Sequence, residues 1–249
     1  MNRKTLERVL SKAGLGSRTE ARRWIAEGRV RINGTLIQTP DYWVNAETDR
    51  VTFDGQPLRA ARKIYLLLYK PKRYLTTYQD PEGRPTVYQL IEDLHSFISP
   101  VGRLDLDTSG LLLMTNDTAL IERLTNPDRK VPKIYQIKCA TRISGEQLER
   151  LRRPVALSDG PTRPAIVKRL RDSGKYSFLE MTLTEGRNRQ VRRMIEAVGS
   201  KVLKLVRTGI GDLRIGDLQI GKYRMLTRRE VEALTGRVER SRGKRRESR

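Results

Sequence analysis

Cysteine and histidine are almost missing from this 249-residue sequence, which holds one of each. A lone Cys139 excludes an internal disulfide and a zinc site built from cysteines. A lone His95 excludes a histidine-rich metal centre and leaves a Ser-His-Asp triad only that residue to use. Long apolar runs are missing too: the densest, Ile64 to Tyr69, falls far short of the ~20 residues that cross a bilayer. The start, Met-Asn-Arg-Lys before an amphipathic pattern, lacks the apolar core of a secretion signal, so a cytoplasmic chain is expected. No P-loop lysine pattern accompanies Gly209, Gly211, Gly216 and Gly221, which read as strand and turn punctuation. Acid is scarce relative to base. Lys and Arg total 51 against 29 Asp and Glu, a formal charge of +22, and such an excess suits a polyanionic partner, nucleic acid first.

These shortages confine any chemistry to carboxylates, arginines and tyrosines. His95 reads as a partly exposed residue ending a helix. Cys139 closes the alternating strand Ile-Tyr-Gln-Ile-Lys-Cys and reads as a buried small apolar residue.

The chain length suits a catalytic domain with one small companion. Leu6, Val9, Leu10 and Ala13 recur at helical spacing, stopped by Gly14 and Gly16. Ser17-Arg-Thr-Glu20 fits a capping box opening a second helix that buries Ala21, Trp24 and Ile25. Val30-Arg-Ile and Leu36-Ile flank Asn33-Gly34, a hairpin turn signal. Residues 1–58 thus read as two helices on a small sheet. Arg18, Arg22, Arg23, Arg29 and Arg31 cluster there with only Glu20 and Glu27 nearby, and guanidinium groups suit bidentate phosphate contacts. A solvated charged face is the alternative. Leu10-Ser-Lys-Ala-Gly-Leu-Gly-Ser-Arg-Thr-Glu-Ala-Arg22 and Gly28-Arg-Val-Arg-Ile-Asn-Gly34 resemble the S4 RNA-binding domain, which makes these five arginines candidate RNA contacts.

Residues 59–63 read as a polar linker. A second domain, 64–236, opens on the buried strand Ile64–Tyr69 and continues with a helix carrying Val87, Leu90, Ile91 and Leu94. Further helices are predicted near 117–126, 145–153, 188–198 and 227–235, the last opened by the capping box Thr227-Arg-Arg-Glu230. Strands are predicted near 111–115, 133–140, 165–170, 176–184 and 202–207. Helices do not follow every strand, so the fold class is α+β, with a mixed, largely antiparallel sheet and flanking helices. Residues 237–249, rich in Arg and Lys with nothing to bury, are expected to be a disordered basic tail.

Chemistry concentrates in Val101-Gly-Arg-Leu-Asp105-Leu-Asp-Thr-Ser-Gly110-Leu-Leu-Leu-Met114. Asp105 stands in a glycine-bracketed loop just before an apolar strand, a position that can project a reactive group into a cleft. A turn in which Asp105 or Asp107 merely accepts backbone amides is the structural alternative. Two further blocks follow in order, Lys133-Ile-Tyr135 and Glu185-Gly-Arg-Asn-Arg-Gln-Val-Arg192-Arg-Met194. The three blocks resemble the signatures of Rsu-type pseudouridine synthases, and with the N-terminal segment the likeness covers all but the last dozen residues.

The resemblance implies a cofactor-free isomerase that turns one uridine of ribosomal RNA into pseudouridine, and Asp105 as its catalyst. The base is detached from C1′ at N1, turned and rejoined through C5. A carboxylate can attack the ribose C1′ or the uracil C6, or assist an elimination through a glycal. Arg192 is expected to pair with Asp105 and hold it ionised; a phosphate contact is its alternative. Tyr135 is expected to stack on the flipped uracil, with core filling as the alternative, and Val191 to cover the other face. Lys133 is expected to meet phosphate or a carboxylate. Arg103 is expected to enter the RNA groove and help evict the base, a step costing a few kcal/mol. Arg187, Arg189 and Arg193 crowd a helix N-terminus suited to phosphate, and Lys204 with Arg207 extend that basic surface. The expected partner is ribosomal RNA or a ribosomal assembly intermediate, with no membrane, no metal and a monomeric chain. The stretches Asp80–Thr86 and Glu185–Arg193 lean toward members acting on large-subunit RNA. A noncatalytic ribosome-assembly factor and an RNA hydrolase are the competing functions.

Overall fold

The computed structural model describes residues 3–45, 47–59 and 61–236; the expected basic tail lies outside them. Two helices, Leu6–Lys12 and Arg18–Ala26, pack on a four-stranded sheet ordered Thr35–Leu36, Val30–Ile32, Val51–Phe53, Gln56–Pro57. Leu6, Leu10, Ala21, Ile25, Val30, Ile32, Val44 and Val51 form their core. The Ser17 capping box forms in both directions, Ser17 N donating to Glu20 Oε2 at 2.8 Å and Glu20 N to Ser17 Oγ at 3.2 Å. Asn33 and Gly34 take the positive φ values, 51° and 86°, of the expected hairpin turn.

The larger unit is one twisted sheet. Its strands run in the order Ile166–Ser173, Tyr176–Leu183, Lys133–Cys139, Val202–Ile210, Ser109–Thr115, Tyr65–Lys70 and Tyr223–Met225. Every neighbouring pair along this order is antiparallel except Val202–Ile210 with Ser109–Thr115, as the α+β reading anticipates. Helices Gly145–Arg152 and Gln190–Ala197 cover the Ile137, Leu179 and Leu205 face of one half. Helices Thr118–Thr125 and Arg228–Thr235 supply Leu120, Leu124 and Leu234 to a core with Leu67, Leu111 and Leu113. The Thr227 capping box also forms.

One predicted helix does not. Residues 87–94 give a single 3-10 turn, Val87–Leu90, after which Ile91 leaves helical geometry at φ −139° and ψ 28°. Val87 and Ile91 reach the core beside Leu66, Leu68, Leu112 and Met114 without helical geometry, and the Tyr88 hydroxyl ties the segment to the Ile98 carbonyl at 2.9 Å. Burial and these long-range bonds, with Val87 N donating to the Leu75 carbonyl at 2.9 Å, fix this stretch, so helical spacing misled. His95 is exposed on irregular chain rather than at a helix end. Cys139 is fully buried, and burial pushes its thiol up to about 11.

Asn116 fastens the connecting segment, accepting from Ile64 N at 3.0 Å and donating to the Arg62 carbonyl at 2.8 Å. The two units also touch directly. The Tyr78 hydroxyl donates to Glu20 at 2.9 Å, and Phe97 N donates to the Gly14 carbonyl at 3.1 Å. Among the described residues no helix is long and apolar enough to cross a membrane.

Candidate active site

The single parallel pairing sets the site. Gly110, at φ +113°, lies against Arg207 so closely that a Cβ there would stand 2.2 Å from the Arg207 carbonyl oxygen and 2.6 Å from its nitrogen. Only glycine permits this approach, and it brings the loop before Ser109–Thr115 over the cavity floor formed by Arg207 and Tyr135.

That loop is held through its backbone. The Leu104 carbonyl accepts from the Thr76 hydroxyl at 2.9 Å, Asp105 from Lys70 Nζ at 3.1 Å, Leu106 from Arg73 N at 2.8 Å, Asp107 from Arg192 Nη2 at 3.1 Å, and Thr108 from Lys70 Nζ at 2.9 Å. Five consecutive carbonyls are thus anchored by other segments. The Asp105 carboxylate itself makes no hydrogen bond or ion pair among the described residues, and it lines a cavity of about 440 Å³. The amide-accepting alternative for Asp105 therefore fails: its backbone oxygen, not its carboxylate, takes the Thr108 amide at 3.0 Å.

Tyr135, half-buried on Lys133–Cys139, faces the cavity opposite Asp105's loop, in register with Arg207. Val191, 5 % exposed in the first turn of Gln190–Ala197, closes another wall. Lys133, Arg103, Arg187 and Arg189 complete the basic lining. Burial, with Arg207 and Arg163 nearby, lowers the Lys133 pKa. Arg189 sits at the left-handed N-cap, φ 46°, which throws its side chain to solvent at the rim.

Three expectations need correction. Arg192 does not ion-pair with Asp105: it is buried, its Nη2 is given to the Asp107 carbonyl, and its Nε finds no partner among the described residues. It braces the loop from behind instead of touching the carboxylate. Arg193 turns away from the cavity to bind Asp159 at 2.7 and 3.1 Å. Arg187 is largely spent on the carbonyls of Gly160 at 2.9 Å and Pro161 at 2.6 Å. The hairpin at 156–161 supplies the partners of Arg187 and Arg193 from 26 to 34 positions away, and that of Arg192 lies 85 positions away, so sequence neighbours gave no sign of them.

The N-terminal arginines are likewise compensated. Arg18 and Arg22 both clasp the fully buried Glu7, and Arg22 adds Asp41 at 3.2 Å. Arg23 meets Glu27 at 3.4 Å, Arg29 meets Asp54 at 2.5 Å, and Arg31 donates to the Gly34 carbonyl at 3.2 Å. Glu7, Asp41 and Asp54 lie outside the stretch in which the arginines cluster, so the local charge count overstated their freedom.

Two residues went unnoticed or misplaced in the sequence reading. Lys70 is fully buried, donating to the carbonyls of Pro71, Asp105 and Thr108; burial pushes its ammonium down to about 8 against the pull of Asp105 and Asp107. A lysine ending an otherwise apolar strand was the available signal. Arg207, read as surface, is 4 % exposed in the cavity floor. Its Nε donates to the Leu111 carbonyl at 2.8 Å, its Nη2 has no partner among the described residues, and the Tyr135 phenol lies alongside. Lys204, grouped with it, is exposed on the opposite face.

The arrangement is a free carboxylate beside an aromatic ring and an aliphatic wall, inside a basic rim, and comparison with known proteins agrees. The family profile for RNA pseudouridylate synthase matches residues 64–197, and the S4 domain profile matches residues 5–51. A Bacillus subtilis (strain 168) protein named ribosomal large subunit pseudouridine synthase B is 38% identical over 231 residues, covering 92% of this chain and 94% of that protein. An Aquifex aeolicus (strain VF5) protein named as an uncharacterized RNA pseudouridine synthase is 40% identical, covering 92% of each. A crystal structure of a pseudouridylate synthase superposes with a TM-score of 0.68 at 30% identity, over 92% of this chain and 99% of that one. The chain belongs to the RNA pseudouridylate synthase family, and an S4 domain precedes its catalytic domain.

Proposed function

We propose that this protein isomerises one uridine of large-subunit ribosomal RNA to pseudouridine in the cytoplasm, acting as a monomer on the RNA or on an assembly intermediate. The observation that carries the reading is the unpaired Asp105 carboxylate on a loop whose five successive carbonyls are all anchored. A nucleophile so held loses little freedom when it meets its target. The relatives named for large-subunit RNA support the substrate class.

In the reaction the C1′–N1 bond breaks, the uracil turns, and a C1′–C5 bond forms; the C5 proton leaves and N1 takes one up, so no atom is gained or lost. Asp105 attacks C1′ or C6, or assists departure of the base through a glycal. Each route needs the carboxylate ionised. Lys70, behind the loop, holds the Asp105 and Thr108 carbonyls and so fixes the backbone that carries the carboxylate. Tyr135 stacks on the extruded uracil and helps remove the C5 proton, while Val191 covers the second face. Arg103 and Arg189, which have no partner among the described residues, meet the flanking phosphates and help hold the duplex open; Lys133 contacts phosphate at the cavity wall. In the S4 domain the paired guanidinium groups of Arg18, Arg22 and Arg23 remain half exposed or more, and with Arg29 and Arg31 they grip RNA backbone.

Asp105→Asn tests the reading on unmodified large-subunit RNA. Pseudouridine formation should vanish while RNA affinity stays within a few-fold. Full turnover by the variant would refute Asp105 as catalyst, and absence of pseudouridine with the unaltered protein would favour a noncatalytic assembly factor.

A further inference from the structure

The outer face of the sheet is packed by the 87–98 segment over Ser109–Thr115 and Tyr65–Lys70, but over Ile166–Ser173, Tyr176–Leu183, Lys133–Cys139 and Val202–Ile210 it is left open among the described residues. On Lys133–Cys139, Tyr135, Ile137 and Cys139 point to the catalytic side, and Ile134, Gln136 and Lys138 point away. Their neighbours on the outer side include Phe178 and Glu180, Lys204 and Val206, and Lys168. No helix packs there among the described residues, and the strands leave a shallow trough of about 620 Å³ lined by Lys138, Arg171, Phe178, Glu180, Lys204 and Val206.

Charge and rings alternate across this face. The Lys138 ammonium lies 4.1 Å from the Tyr176 ring centroid, and the Arg171 guanidinium 3.8 Å from that of Phe178. Lys138, Lys168, Arg171 and Lys204 form no ion pair among the described residues, and Glu180 is the one acid in the trough. Asp172, at its edge, is already taken by Arg142 and Arg169. The contrast with the N-terminal domain is direct, because there each of Arg18, Arg22, Arg23 and Arg29 is already ion-paired.

We propose that this open sheet face is a second RNA-contact surface, which takes a single-stranded segment of the substrate RNA through base stacking on Tyr176 and Phe178 and phosphate contacts from Lys138, Lys168, Arg171 and Lys204. Tyr176 and Phe178 are two residues apart on one strand, so their rings repeat at about 7 Å, a spacing that successive bases of an extended strand can follow. Such a sheet, with aromatic rings for bases and cations for the backbone, is a general way of holding single strands. On binding, Lys138 and Arg171 move from their rings to phosphates and bases take the vacated ring faces. An acidic protein could answer the charge but would leave the ring faces unused. The proposal rests on the chain acting on RNA, not on which ribosomal subunit supplies it.

The test uses the full chain and a 20-nucleotide oligoadenylate, which offers the catalytic cavity no uridine. The combined variant Lys138→Gln/Arg171→Gln/Lys204→Gln should weaken binding at least tenfold and reduce the slope of log affinity against log salt by about 2, since each single-strand phosphate contact contributes about 0.7. Tyr176→Leu with Phe178→Leu should weaken it about tenfold with the slope unchanged. Turnover on a minimal stem-loop bearing the target uridine should stay as in the parent chain. Unchanged affinity and slope in both variants overturns the proposal. So does normal oligoadenylate binding coupled to lost association with protein-bearing ribosomal particles, which would mark a protein partner. Against misfolding of the variants, the unaltered chain is photo-crosslinked to a single strand carrying 4-thiouridine. Adducts at Tyr176 or Phe178 support the surface, and adducts confined to the cavity and the N-terminal domain overturn it.

Discussion

Gly110→Ala should damage stability and turnover together. The added Cβ would meet the Arg207 carbonyl oxygen at 2.2 Å and its nitrogen at 2.6 Å, so the strands Ser109–Thr115 and Val202–Ile210 must part by about 1 Å to regain ordinary contact. Holding alanine at φ +113° adds backbone strain of roughly 1–3 kcal/mol. Forcing a methyl group between packed strands adds about 1–3 kcal/mol more. Near the middle of that range, ~4 kcal/mol lowers the melting temperature of a domain this size by roughly 8–16 °C. The same displacement moves the Asp105 loop relative to Tyr135 and Arg207, and a 1 Å misplacement costs about 100-fold in rate. Both tryptophans, Trp24 and Trp43, lie in the N-terminal domain. Far-UV circular dichroism should therefore show an early transition, while tryptophan fluorescence keeps its parental midpoint. A variant that melts with the parent and retains its rate would refute the close-approach argument.

Lys70→Met should cut turnover about 100-fold with little change in RNA affinity, because three carbonyls lose the donor that shapes the loop. In the parent chain turnover should decline as pH rises through about 8, where Lys70 loses its charge. Its proton is held more weakly in the folded than in the unfolded chain, so the linked stability rises from about pH 8 toward the ordinary value of 10.5; a parallel loss of stability over that window would contradict the assignment. For Glu7, burial works to raise the pKa, but hydrogen bonds from Arg22 and Arg18 bring it below the ordinary value. Its contribution is present above the unfolded carboxyl pKa and lost as pH falls through the lowered folded value. Glu7→Gln should cost the N-terminal domain about 2 kcal/mol, discounted for the half-exposed arginines, and tryptophan fluorescence would reveal it. Arg103→Gln and Arg189→Gln should each raise KM several-fold and flatten its salt dependence, leaving kcat near its parental value.

The elements were legible where local rules suffice. Capping boxes at Ser17 and Thr227, the Asn33-Gly34 turn and the alternating strands depend on neighbours within a few residues. The segment 87–94 failed because its apolar residues answer to a distant core and not to a helix axis. Site residues followed the same division. The motif blocks pointed to Asp105, Tyr135 and Val191, which do line one cavity. The partners of Arg187, Arg192 and Arg193 come from Gly160, Asp107 and Asp159, joined only by folding.

By itself, then, the sequence determined the α+β class, the division between an arginine-rich N-terminal unit and a larger sheet, and the loop that carries the reactive carboxylate. Only the tertiary structure decided which charges are free. Glu7 neutralises two arginines from another helix, and Lys70 and Arg207 are drawn beneath the Asp105 loop by strand pairing. On the outer face of the sheet, Lys138 and Arg171 are left with aromatic rings instead of carboxylates. The physical reason is range: helix caps and turns form between residues a few positions apart, whereas burial and ion pairing act between groups that only the folded chain brings within a few ångströms.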